Sequence, residues 1–301
     1  MKDKIVKYLR FLAPGGLKRL FRKYKRRYIR TFRLSREERE PLRLNELEHI
    51  LRHQLGIGEG DSLIIHSSFG NLNAGFSPEK AVDLLKKIVG KSGNILMPFY
   101  PTGHAFYWIQ EDHVFDVEKS ISCMGILTQA FKESEKVMVS PHPVKALSAW
   151  GKDRDFLIGE HHQSLYPYDE HSPYFKISKC PQSKSLGLGV EINSFGHCCE
   201  DLFLRDKLEI YSPQSLKGKV KYYDRSFEVE TYLHDPQKVN ALPSFCSYLK
   251  QTNCPSYKSL ESKGAPFYSV DHSMVLEHTK ELFSKGNSRI KFSKFQGKAA
   301  E

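Results

Sequence analysis

The sequence predicts an α/β fold, a single three-layer domain behind a basic N-terminal extension. Three observations carry this. The chain has 301 residues, 40% apolar and 27% charged, enough to bury about three quarters of the surface of its unfolded state. Short apolar runs are closed by Gly or Pro, as buried strands are. A strand, a helix and a second strand follow one another in the spacing of a βαβ unit.

The elements follow in order. Past Gly15 and Gly16, apolar residues fall at Leu17, Leu20, Phe21, Tyr24 and Tyr28, one face of a helix, with nearly every position between them basic. Leu42, Leu44, Leu47, Ile50 and Leu51 predict a second amphipathic helix ending near Gly56. Asp61-Ser-Leu-Ile-Ile-His66 reads as a buried strand, Ala81 to Val89 as a helix, and Gly93-Asn-Ile-Leu-Met97 as a strand closed by Pro98. Beyond these, helices are expected over Met124–Phe131, Cys198–Leu208 and Val270–Phe283, and strands over Ala146–Trp150 and Ser185–Val190. Gly159 to Lys179 is rich in His, Tyr and Pro with weak periodicity and is expected as a function-bearing loop. No internal repeat is found. Two segments result, an extension over residues 1–40 and a domain over 41–301.

Charge separates the two. Residues 1–33 hold 13 Lys or Arg against one acid, Asp3, a net +12, and the other 268 residues carry −1. A nucleic-acid-binding body is therefore not implied. A basic amphipathic helix suits an anionic membrane surface, and it equally suits packing on the domain or a solvated leader. No run approaches the roughly 18 apolar residues of a membrane span. Lys7 and Arg10 interrupt Ile5–Leu12, which argues against a cleaved secretory signal and for a cytoplasmic protein, peripheral at the inner membrane face if the leader binds lipid. Six cysteines without a CxxC pair read as reduced thiols and not as a disulfide framework or metal site. Neither glycine fingerprint of nucleotide-binding loops is present, since Gly187-Leu-Gly189 lacks its third glycine.

Two strand ends stand out, because ligands of open α/β sheets collect at the carboxyl ends of strands. One is His66-Ser67-Ser68. The other is His197 with Glu200, a spacing that places both on one helix face and lets a carboxylate orient an imidazole. Spacing alone also fits a structural histidine at 197 and a turn or cap at Ser67 and Ser68.

These landmarks, in order, resemble the aminoglycoside 3-N-acetyltransferase family from about Leu44 to Phe283. They are Ile64-Ile-His-Ser-Ser-Phe69 with Gly75, Ile95-Leu-Met-Pro98, Ser120-Ile-Ser122-Cys-Met124-Gly125, His142-Pro143 before Ala146–Gly151, Ser172-Pro173-Tyr174, Asn193-Ser-Phe-Gly-His197-Cys-Cys-Glu200, and Gly264-Ala265. The resemblance implies a three-layer α/β/α sandwich with a mixed central sheet and an acetyl-CoA-dependent acyltransferase that needs no metal. It also implies His66, Ser67, Ser68, Ser122, Met124 and Gly125 as contacts of acetyl-CoA, His197 as general base, and Glu200 as its partner or the holder of the acceptor. Backbone N–H groups at Ser67 and Ser68 are the candidate oxyanion donors.

Departures from the family pattern bear on the acceptor. The usual His-Pro-Thr-His is His142-Pro143-Val144-Lys145, and the usual Leu-Pro-Glu after Met-Gly is Leu127-Thr128-Gln129. Gaining a cation and losing a carboxylate disfavours a polycationic drug and favours a neutral or acidic sugar. The expected activity is N-acetylation of an amino sugar in surface polysaccharide or glycan synthesis, with no nucleic acid partner. The alternatives are acetylation of aminoglycoside antibiotics, or a non-catalytic membrane-surface binding protein. A thiol mechanism through Cys198, Cys199 or Cys123 is a further competitor.

Overall fold

Successive residues of the two central strands point into different cores. Leu63 and Ile65 of β1 (Ser62–Ser67) join Ile95 and Met97 of β2 (Asn94–Pro98) on one side of the sheet, while Ile64 and Leu96 pack on the other. A strand covered on both faces has no solvent side, so it reads as an unbroken apolar run. The structure is a computed structural model and describes residues 39–101, 105–204, 210–239 and 242–289. The basic helix expected near residues 17–28 lies outside them.

β1 and β2 pair in parallel, as the βαβ pattern requires. Around them runs a seven-stranded mixed sheet, β4 (Met138–Val139), β5 (Leu147–Gly151), β2, β1, β6 (Ser183–Leu188), β10 (Ala265–Asp271) and β9 (Lys258–Ser262). β6 is parallel to β1, and the outer pairings are antiparallel. On the first face lie α1 (Leu44–His49, extended by a π turn over Ile50–Gln54), α2 (Pro78–Val89) and α3 (Ile126–Glu133). On the second lie α4 (Pro173–Ile177), α5 (Phe195–Leu204), α6 (Phe245–Gln251) and α7 (His272–Ser284). The result is the expected α/β/α sandwich. Local chemistry sets the helix ends: Ser77 Oγ accepts from the Lys80 N–H with Pro78 opening α2, and Asp271 accepts from the Met274 N–H to start α7.

Several boundaries differ from the expected ones. α3 starts at Ile126 because Gly125 holds φ +105, outside helical space. Val270 and Asp271 finish β10, so the last helix begins at His272. α5 starts three residues earlier than expected, at Phe195. The segment expected as a loop over Gly159–Lys179 includes a 3-10 turn and α4. A second sheet of β3 (Val114–Asp116), β7 (Leu216–Tyr222) and β8 (Arg225–Thr231) was not expected. The glycines of Gly187-Leu-Gly189 serve packing: a Cβ on Gly187 would meet the Tyr268 ring at 2.1 Å, and Gly189, at φ +72, lies against the Ser68 carbonyl.

Candidate active site

The loop from β6 into α5 is tied down by its own short side chains and by the end of β1. Asn193 Oδ1 accepts from the Phe195 N–H at 2.9 Å and from the Ser185 hydroxyl at 3.3 Å. His66 Nε2 accepts from the Ser194 N–H at 3.2 Å, and Tyr268 Oη stands 3.5 Å from His66 Nδ1 while donating to the Ile192 carbonyl. Gly196 lets α5 press on α6, since a Cβ there would meet the Phe245 ring at 2.2 Å. These ties fix His197 in the first turn of α5.

Glu200, one turn on, meets His197 Nδ1 with Oε2 at 3.0 Å. Arg289 donates to the same carboxylate through Nε at 2.8 Å and Nη2 at 2.7 Å, and through Nη1 to the Pro243 carbonyl at 2.9 Å. The Glu200 and Arg289 side chains are 1% and 6% exposed, so this is a buried bidentate pair. Burial alone would raise the Glu200 carboxyl, but the Arg289 charge and the bonds from His197 and Arg289 outweigh it and hold it at about 2. An ionised carboxylate only accepts, so His197 carries its proton on Nδ1 and leaves Nε2 bare. Burial pushes the His197 pKa below its ordinary value; the Glu200 hydrogen bond and charge oppose the shift, and the Arg289 and Lys145 charges add to it. The imidazole is thus neutral at neutral pH, 16% exposed, with no hydrogen bond to Nε2 among the described residues. That is the state of a general base ready to take a proton. Tyr168 and His234 flank it, with ring centroids at 5.4 and 4.7 Å.

The residues expected at acetyl-CoA fall in two groups. Ser122 Oγ accepts from the Met124 N–H at 3.1 Å, and the Cys123 N–H donates to the Tyr100 carbonyl at 3.0 Å, which folds Ser122–Gly125 into a turn at the start of α3. No heavy atom lies within 4 Å of a Cβ built on Gly125. Open space, the N–H groups of a first helical turn and the exposed apolar Ile121 and Ile126 suit the amides and alkyl arm of coenzyme A. The second group is at β1. His66 is buried and bonded to the His197 loop, and burial lowers its pKa to about 4. The Ser68 N–H, expected as an oxyanion donor, instead donates to the Leu188 carbonyl at 2.8 Å as the last rung of the β1–β6 ladder. That leaves the Ser67 N–H as the candidate of the two.

The thiol alternative fails at Cys198 and Cys199. Both are fully buried in the core of the second face, and burial pushes the Cys198 thiol well up and the Cys199 thiol to about 12, so neither supplies a thiolate. Cys123 is exposed, yet no base stands within hydrogen-bond reach of its sulfur among the described residues, and partial burial raises its thiol. No cluster of three or more His, Cys, Asp or Glu able to hold a metal ion exists among the described residues. Nor is any helix there long and apolar enough to cross a membrane. Arg289 is the residue that sequence reasoning missed. It lies 89 positions from Glu200, and no local spacing signals a contact of that range.

The sequence profile of the aminoglycoside 3-N-acetyltransferase family matches residues 64–283. Solved structures share the fold at low identity. An AAC-IIIb binary complex with CoASH aligns at TM-score 0.67 and 17% identity over 82% of this chain and 97% of that one. The aminoglycoside acetyltransferase AAC(3)-Xa aligns at 0.69 and 17% over 87% and 99%, and sisomicin-bound AAC-VIa at 0.68 and 18% over 83% and 100%. Among curated protein sequences none matches this chain.

Proposed function

The chain belongs to the aminoglycoside 3-N-acetyltransferase family, and from that premise we propose that it transfers the acetyl group of acetyl-CoA to the amine of an amino sugar with His197 as general base. The observation that carries the reading is the His197–Glu200–Arg289 chain with its bare Nε2. The acceptor amine attacks the thioester carbonyl carbon, forming the C–N bond, while His197 Nε2 takes the proton that the amine sheds. Glu200 stabilises the imidazolium so formed. The C–S bond then breaks, and His197 returns the proton to the departing sulfur, which leaves as the thiol of CoA. The Ser67 N–H is the candidate donor to the transient oxyanion. To the acetyl-CoA path we assign Met124, Gly125, Ser122, Ser67 and Ser68, and to His66, bonded to the Ser194 N–H, the role of holding the neighbouring loop.

For the acceptor, an aminoglycoside is the class that family membership and the sisomicin-bound neighbour support. Surface polysaccharide or glycan synthesis has no counterpart among these relatives and rests on Lys145 and the basic leader. Release of CoA measured against a panel of amino sugars and aminoglycosides tests the reading, together with a rise in melting temperature with acetyl-CoA that NAD and ATP do not produce. No shift at millimolar acetyl-CoA would sink it.

A second proposal concerns place. With +12 on residues 1–33, and about 1 kcal/mol per basic residue at an anionic surface, we propose that the leader holds a cytoplasmic enzyme at the inner membrane face. Full-length protein should co-sediment with anionic liposomes at low salt and ignore neutral ones, and protein starting near Leu42 should bind neither. Equal binding by the two would refute it.

A further inference from the structure

Lys145 stands where the site has least reason to hold a cation. Its backbone lies in the left-handed region, φ +59, which a lysine adopts only when its surroundings enforce it. A buried turn does so here: the His142 Nδ1–H donates to the Val144 carbonyl, the His142 ring stacks on His161 at 4.4 Å, and the Leu147 N–H donates to Ser140 Oγ at 2.9 Å. The turn aims the side chain at two tyrosines, with Nζ 4.9 Å from the Tyr100 ring centroid and 6.0 Å from that of Tyr168. Tyr168 also flanks His197, and the Tyr100 carbonyl holds the Cys123 N–H of the loop assigned to acetyl-CoA. The ammonium therefore lies over one ring that flanks His197 and another whose backbone holds the loop assigned to acetyl-CoA, the wall we assign to the acceptor.

The carboxylates around this wall are already committed. Glu200 is clamped by Arg289, Asp201 accepts from the Tyr211 hydroxyl, and Asp169 accepts from the Ser164 hydroxyl and the Tyr166 and His171 N–H groups. All three are buried, and no carboxylate of the described residues lies within ion-pair distance of Lys145. Among the described residues, an acceptor thus meets aromatic faces and the Lys145 ammonium. A polycation would have to bring a positive charge beside that ammonium, whereas an anion would find a partner for it.

We infer that Lys145 anchors an anionic group of the acceptor, a carboxylate or phosphate carried by the same amino sugar whose amine faces His197. This rests on the acetyl-transfer reading and narrows its acceptor away from polycationic aminoglycosides. Lys145 acts in recognition; the proton still moves through His197.

The test compares four acceptors in a CoA-release assay: glucosamine, glucosamine 6-phosphate, galactosaminuronic acid and sisomicin. Full-length protein is used, as wild type, Lys145→Met and Lys145→His. At least one of the two anionic sugars should exceed glucosamine tenfold or more in kcat/KM, and which one does separates phosphate from carboxylate. Lys145→Met should erase that advantage through a KM for the anionic sugar raised at least tenfold, with KM for acetyl-CoA held. Lys145→His, which restores the family residue, should shift preference toward sisomicin. A wild type that prefers sisomicin, or a Lys145→Met variant with the wild-type ranking, overturns the inference. Should no acceptor release CoA, the acetyl-transfer reading falls, and calorimetry decides the inference separately. Binding of an anionic sugar to wild type at least tenfold tighter than to Lys145→Met sustains it; equal or absent binding overturns it.

Discussion

His66, near the end of β1, and His197, in the first turn of the helix that follows the parallel neighbour β6, belong to one hydrogen-bonded loop system, and both are held below the ordinary histidine pKa by burial. Their partners differ. His66 spends both ring nitrogens on neutral groups, the Ser194 N–H and the Tyr268 hydroxyl, with no carboxylate to support a charged ring. His197 spends one nitrogen on an ionised, arginine-clamped carboxylate and keeps the other free. In the proposed mechanism a histidine serves as base through what its second nitrogen touches: the carboxylate fixes the tautomer and stabilises the imidazolium. His66 holds the loop that aims His197.

Separating the two histidines should give the largest effect. His197→Ala, with circular dichroism unchanged, should lower turnover by about a hundredfold or more. His66→Phe should act on stability first, because it strands the Ser194 N–H at a cost of about 1–3 kcal/mol, with turnover below the new melting temperature falling less than in His197→Ala. If His66→Phe abolished turnover at an unchanged melting temperature while His197→Ala stayed active, the two roles would be reversed.

Arg289 sharpens the contrast from the other side. Arg289→Met leaves Glu200 as a buried, unpaired charge, and breaking a buried pair this way costs about 3–5 kcal/mol. The pH profile should move as well. Arg289 lowers the His197 pKa; without it the imidazole holds its proton to higher pH, so the acid limb of kcat/KM should shift upward. A shift downward, or none with the fold intact, would mean that Arg289 does not tune the base. Wild-type stability carries the matching signature: a carboxyl held at about 2 stabilises the fold above its ordinary pKa and loses that contribution as pH falls towards 2.

Much of this site was legible in the sequence, for reasons particular to its elements. Asp61–His66 and Gly93–Met97 could be read because strands buried on both faces show as apolar runs, and His197 with Glu200 because i and i+3 share a helix face. The β7–β8 hairpin was missed although Lys217, Lys219 and Lys221 alternate with Gly218 and Val220, since alternation with so few large apolar residues is weak evidence. Lys263-Gly264, both at positive φ, marks the β9–β10 turn; its strand ran straight into α7, hiding the boundary at Asp271. The contact from Arg289 to Glu200 and the loss of the Ser68 N–H to Leu188 depend on tertiary placement and on strand register, which no spacing encodes.

The set of neutral histidines makes a smaller, measurable effect. Burial holds His66 and His142 at about 4 and His272 at about 3. Between those values and an unfolded pKa of about 6.5, the unfolded chain binds more protons than the folded one. Stability is therefore full above about 6.5 and lost as pH falls, by up to about 1.4 kcal/mol per pH unit for each such ring. Thermal melts from pH 7.5 to 5 should show it, with a shallower slope in His66→Phe. An unchanged slope there would place a charged His66 in the fold and undo the contrast with His197.

The smallest effect on turnover is expected beside the base. Cys198 and Cys199 follow His197 directly, and sequence proximity alone would make either a nucleophile within its reach. Successive helical residues point about 100° apart, and that rotation sends both thiols into the core packed under the sheet while His197 faces the site. Cys198→Ser should lower the melting temperature, because a hydroxyl replaces a thiol among apolar neighbours, and leave turnover within a fewfold at temperatures where the variant is folded. A loss comparable to His197→Ala, joined to an acetylated Cys198 seen by mass spectrometry in the wild type, would replace direct transfer with a covalent intermediate. His197 would then serve as the base of a thiol and not of the acceptor amine.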